Sequence, residues 1–112
     1  MMSAMPATDE PEAVVSHLWQ ESRSQPWPSR LNSAEPAGVD LAALDVRLSG
    51  CIHTWLYHRG SFGARHLHTV RVLLRELEQV LPELTEEDSP HIWQRYHQMA
   101  QLISDNNPHS TN

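Results

Sequence analysis

None of the eight basic residues in this 112-residue chain is lysine; all are arginine. Arginine's planar fork suits bidentate pairing with carboxylate or phosphate, so its exclusive use is compatible with anion recognition. A nucleotide bias of the genome produces the same pattern without selection and is the plainer explanation. Cysteine is also scarce. A lone Cys51 excludes an internal disulfide, and "MMSAMPATDEPEAVV" lacks the charged-then-apolar pattern of a secretory leader, so a reducing, cytoplasmic setting is expected. Apolar runs stay far below the roughly 20 residues that cross a bilayer, and no membrane role is expected. The chain also lacks a Gly-rich phosphate loop, a dinucleotide fingerprint, a nucleophile elbow, an HExxH and a paired CxxC. Enzyme chemistry therefore finds little support, and no cofactor is expected.

What is present suits a single small domain. A chain of this length closes one modest core, and 39% hydrophobic with 20% charged residues lies near globular values. The expected organisation is a disordered segment over residues 1–8, one helical domain over 9–104 crossed by a Pro-rich strap at 24–38, and a flexible tail over 105–112.

Periodicity predicts an all-α protein: a small up-down bundle of three core helices plus a short N-terminal helix. The first helix is "DEPEAVVSHLWQES", with Asp9 and Glu12 spaced as a capping box and Val14, Val15, Leu18 and Trp19 on one face. The strap that follows contains Pro26, Pro28, Pro36 and Gly38, which deny a regular element, and Trp27 as an anchor. The second helix runs from an Asp40 cap to about Arg59, with Leu41, Leu44, Leu48, Cys51, Ile52, Trp55 and Leu56 as its apolar stripe and Gly60 as its C-cap. Ser61 is the predicted cap of the third, whose spine is Leu67, Val70, Leu74, Leu77 and Leu81, with Pro82 after it. The fourth starts at Thr85 with Asp88 or at Ser89 with Pro90, and presents Ile92, Tyr96, Met99 and Ile103.

Charge is distributed in blocks. Residues 1–45 carry seven acids against Arg23 and Arg30, residues 46–75 five arginines and no acid, and residues 76–112 seven acids against Arg95. On the third helix, Arg65, His68, Arg71 and Arg75 project as a cationic stripe opposite the apolar spine. Its occupant is an acidic protein surface or an anion, and for an anion Arg59 joins the set. The plainer reading is a solvated face neutralised within the fold by Glu76, Glu78, Glu83, Glu86, Glu87 and Asp88. Duplex nucleic acid is not expected, because the chain has a net charge of -6 and such binding relies on a basic surface that releases counterions.

A second candidate surface lies on the back of the second helix, where Val46, Gly50, His53 and Tyr57 follow helical spacing. Glycine inside a helix costs about 1 kcal/mol relative to alanine, so its presence suggests close approach of another helix. That partner is the first helix, a second protomer or a different protein.

Eight histidines also raise metal binding. His66 and His68 stand about 200° apart on a helix and cannot share an ion. A mixed site from Cys51, His58 and His66 is conceivable across the turn, but tetrahedral zinc needs a further ligand. For His66 the plainer reading is an imidazole at the core edge. The leading functional expectation is a protein-interaction module of regulatory or adaptor type, self-association included. Anion or nucleic-acid binding through the same Arg/His stripe, and a metal or small-molecule site near His58 and His66, stand as alternatives.

Overall fold

The computed structural model describes residues 10–61 and 63–106. Four α-helices account for most of them: α1 (Pro11–Ser24), α2 (Leu41–Tyr57), α3 (Ala64–Val80) and α4 (Pro90–Asn106). No strand occurs among the described residues, as the all-α expectation requires. Single 3-10 turns at Ser29–Ser33, Pro36–Gly38, Leu81–Glu83 and Glu86–Asp88 punctuate the connections. The three 17-residue helices are matched in length, each about 25 Å at 1.5 Å per residue.

Cross-helix pairs give the directions. Arg71 reaches Ser104 at 3.2 Å and His97 meets Glu78 at 3.1 Å, so α3 and α4 run antiparallel. Gln25, at the end of α1, meets His91, at the start of α4, at 2.6 Å, which makes that pair antiparallel too. The bundle is up-down-up-down, and α1 packs chiefly on α4 as a full fourth member.

The core forms where the apolar stripes meet. Trp55, Trp93, Leu31, Leu41, Leu44, Leu48, Leu73, Leu77, Met99 and Ile103 are among its fully buried side chains. Each buried leucine contributes about 1.5–3 kcal/mol of transfer free energy. Leu73 and Val80 widen the predicted spine of α3. The strap is ordered by the same core. Leu31 is fully buried, and the Trp27 ring meets the Trp93 ring edge-on with centroids 6.1 Å apart. The Trp27 indole N–H donates to Asn32 Oδ1 at 2.9 Å, so the anchor is satisfied without a neighbouring helix.

Helix ends depart from the expectations in instructive ways. The Asp9 cap lies outside the described residues; Glu10 occupies the N-cap of α1 with no side-chain hydrogen bond, and Pro11 is the first helical residue. Asp40 does cap α2, accepting from the Ala43 N–H at 3.2 Å. At the other end the helix closes two residues earlier than predicted, at Tyr57 with His58 as its C-cap. The Arg59 N–H donates to Leu56 O and the Gly60 N–H to Trp55 O, a Schellman pair. Arg59 (φ 60°), and not Gly60 (φ 81°), is therefore the first left-handed residue after the helix. Ser61 does not cap α3: Gly63 is the N-cap and makes no side-chain bond. Before α4 both predicted starts are used. Thr85 and Asp88 form a capping box around one 3-10 turn, Ser89 turns left-handed at φ 55°, and α4 begins at Pro90. That helix continues through Asp105 and Asn106, two residues past the predicted boundary.

Candidate interaction surfaces

The outer face of α2 stays open. Val46 is 69% and Tyr57 77% exposed, the large apolar side chains most at odds with their environment. His53 and Gly50 between them are exposed as well, and a Cβ placed on Gly50 meets nothing within 4 Å. Helix α1 therefore does not cover this face. It lies against α4 instead, because Glu21 and Gln25 engage Arg95 and His91 there.

On α3, Arg65, His68, Arg71 and Arg75 are all exposed, and Arg59 stands exposed in the preceding turn. Four of the six acids expected to neutralise them are engaged elsewhere. Glu76 lies 3.6 Å from Arg47, Glu78 meets His97, and Glu87 and Asp88 both face Arg30 at 3.5 and 3.3 Å. Arg71 donates to the Ser104 hydroxyl, whereas Arg59, Arg65 and Arg75 form no ion pair among the described residues.

The histidine and cysteine candidates are not brought together. Cys51 is half-buried on α2, where burial raises its thiol above the ordinary range, against a smaller opposing effect of Arg47. Such a thiol is poorly activated as ligand or nucleophile. His58 is exposed, and its ring meets Tyr57 edge-on at 5.3 Å. His66 is exposed and not at the core edge. Periodicity assigns a side chain a direction but no covering neighbour, and burial on α3 starts only at Leu67. Among the described residues, no three His, Cys, Asp or Glu side chains are placed to hold a metal ion.

A groove not foreseen in the sequence opens between α1, the strap and α2, with a volume of about 330 Å³. Trp19 and Trp27 form one wall, Asp45, Val46 and Ser49 the other, and Tyr96 closes the floor. The Tyr96 hydroxyl donates to Asp45 Oδ1 and lies 2.8 Å from the Ser49 hydroxyl. With its one proton committed to Asp45, the phenol oxygen accepts from Ser49. Burial, reinforced by the Asp45 acceptor, raises the Tyr96 phenol well above its usual range. Burial likewise raises the Asp45 carboxyl, against the lowering effect of the Tyr96 hydrogen bond. The spacing of Asp45 and Ser49 is visible in the sequence as an i,i+4 pair, but its partner is 51 and 47 residues away.

The chain is a small all-α bundle with an open outer face on α2 and an exposed arginine edge on α3. No protein-family model, curated protein or solved structure matches the chain. Among the described residues no helix is long and apolar enough to cross a membrane.

Proposed function

We propose that the chain is a protein-interaction module of regulatory or adaptor type acting in the cytoplasm, with the outer face of α2 and the arginine edge of α3 as its contact surfaces. One observation carries the reading: Val46 and Tyr57 are exposed on the same line of α2 as the open Gly50. Exposed apolar side chains grouped around a flat backbone suit a packed partner helix better than water. The exposed arginines of α3 add charge that suits acidic groups on a partner and speeds encounter. Self-association is one form of the same reading, in which the α2 face meets its own copy about a two-fold axis. Anion binding through Arg59, Arg65, His68, Arg71 and Arg75 is the second reading, favoured by the engagement of the nearby acids with other groups.

Sedimentation velocity over a concentration series, with capture from a host lysate by untagged protein, tests both surfaces. Val46→Asp with Tyr57→Asp is expected to abolish the dimer or the captured partner. Arg65→Glu with Arg75→Glu is expected to weaken capture and remove its salt dependence. Monomeric behaviour together with capture unchanged in both variants overturns the proposal. Retention on an anionic polymer that only the arginine variant loses favours the second reading.

A further inference from the structure

The groove beside Val46 contains a carboxylate with no ion-pair partner among the described residues. Asp45 is half-buried, its Oδ1 accepts from Tyr96, and no arginine of the described residues lies within ion-pair distance of it. The neighbouring cations are engaged or turned away. Arg47 on α2 faces Glu76, and Arg95 on α4 is held by Glu21 at 3.8 Å and Gln25 at 2.7 Å. Arg23 on α1 shares the groove but stands over the Trp19 ring, 6.0 Å from its centroid. Arg23 thus sets a guanidinium over the Trp19 ring of this wall, while Asp45 forms no ion pair.

An acid set among aromatic rings is the chemistry that recognises an organic cation. Ring faces attract the charge and the apolar stem, and the carboxylate supplies a charge-assisted hydrogen bond. The geometry points to the groove formed by Trp19, Trp27, Asp45, Val46, Ser49 and Tyr96 as a receptor for an arginine side chain presented by a basic segment of a partner protein. The inference rests on the reading of the chain as a protein-binding module and names one element of the partner, a basic segment, distinct from the acidic groups that the arginine edge of α3 would meet. The groove joins the exposed α2 face at Val46, so a segment lying on that face reaches Asp45. Tyr96, held by Ser49, fixes one carboxylate oxygen and leaves the other to accept from the incoming guanidinium. Occupation by a cation also reverses the effect of burial, lowering the carboxyl, so binding releases a proton where Asp45 is partly protonated.

The test uses two short probes on the full chain, acetyl-Gly-Arg-Gly-amide and the same peptide with neutral, isosteric citrulline. The readout is the shift of the Trp19 and Trp27 indole N–H resonances during titration by NMR. The arginine peptide is expected to move both indole signals and the Ser49 amide. Citrulline, and Asp45→Asn with the arginine peptide, are each expected to bind about tenfold or more weakly, as loss of a charge-assisted hydrogen bond implies. Asparagine retains an acceptor for Tyr96, and a circular dichroism spectrum equal to wild type establishes that this variant folds. Equal response to both peptides, or no shift at millimolar arginine peptide, overturns the proposal. Groove shifts that appear only on raising protein concentration, and vanish in Arg65→Glu with Arg75→Glu, also overturn it in favour of a second copy. Failure of the peptide leaves the α2 face and its sedimentation test untouched, so the two readings fail separately.

Discussion

The α1–α4 side and the α2–α3 side of the bundle treat their polar groups in opposite ways. On the first, Glu21, Gln25, His91 and Arg95 form a connected set across the two helices, and Arg30 reaches from the strap to Glu87 and Asp88. On the second, Arg59, Arg65 and Arg75 have no acidic partner among the described residues, and Val46 and Tyr57 stay in solvent. A polar group satisfied at home has little to offer a partner, whereas an exposed apolar line beside unpaired cations gains from being covered. The proposed contact faces lie on α2 and α3, where these groups stay exposed, while polar groups of α1, the strap and α4 pair within the fold.

The largest expected effect breaks the self-satisfied side. Trp93 is fully buried, donates its indole N–H to Asp88 O at 3.1 Å and supports Trp27. Trp93→Ala is expected to cost about 3–5 kcal/mol in urea unfolding and to free the strap, read as loss of the Trp27 indole shift. Smaller, and dependent on pH, is Asp88→Ala. The Asp88 carboxyl is held below the ordinary range first by the Thr85 backbone N–H, then by Arg30 and the Thr85 hydroxyl, against an opposing effect of burial. A carboxyl depressed in the folded state stabilises above its unfolded value of about 4 and loses that contribution as pH falls through the folded value. The variant is therefore expected to lose about 1–2 kcal/mol at pH 7, and its gap to wild type should narrow in unfolding curves at pH 3.

The smallest effect has the opposite sign and sharpens the comparison from the binding side. Gly50 is mid-helix with open space at its Cβ position. Gly50→Ala is expected to raise monomer stability by about 0.5–1 kcal/mol while weakening association, because the methyl group occupies the surface on which a partner helix would rest. A thermal melt and sedimentation of the same sample read both terms. Stabilisation with unaltered association would remove Gly50 from the contact surface.

Helix identity was legible because three independent signals coincide. The apolar repeats of α2, α3 and α4, the Asp40 and Thr85 caps, and the prolines bounding α3 and α4 are local, and local rules act on neighbours in sequence. Where only one signal was available, the reading drifted. Ser61 has the chemistry of a cap but lies two residues before the N-cap that the turn selects, Gly63. His66 has the angle of a core residue but sits in a first turn where burial has not begun. The strap illustrates the converse: proline correctly excluded a long helix, yet gave no sign that Leu31 is fully buried.

The candidate surfaces divide along the same line. Val46, Gly50, His53 and Tyr57, and the arginines of α3, were identifiable because a helix face is set by a 3.6-residue repeat. Whether those faces stay open depended on where α1 docks and which arginine takes each acid. The expected neutralisation by Glu76, Glu78, Glu87 and Asp88 did not occur, since Arg47, His97 and Arg30 arrive from other elements.

Composition and periodicity alone determined an all-α chain, the approximate place of its four helices and most of the stripe each buries, because these follow from interactions within a few residues. Tertiary structure alone decided the groove at Asp45, the burial of Leu31 and the pairing of each arginine. Those features join groups 29 to 74 residues apart, and no repeat along one helix specifies which face of another will meet it.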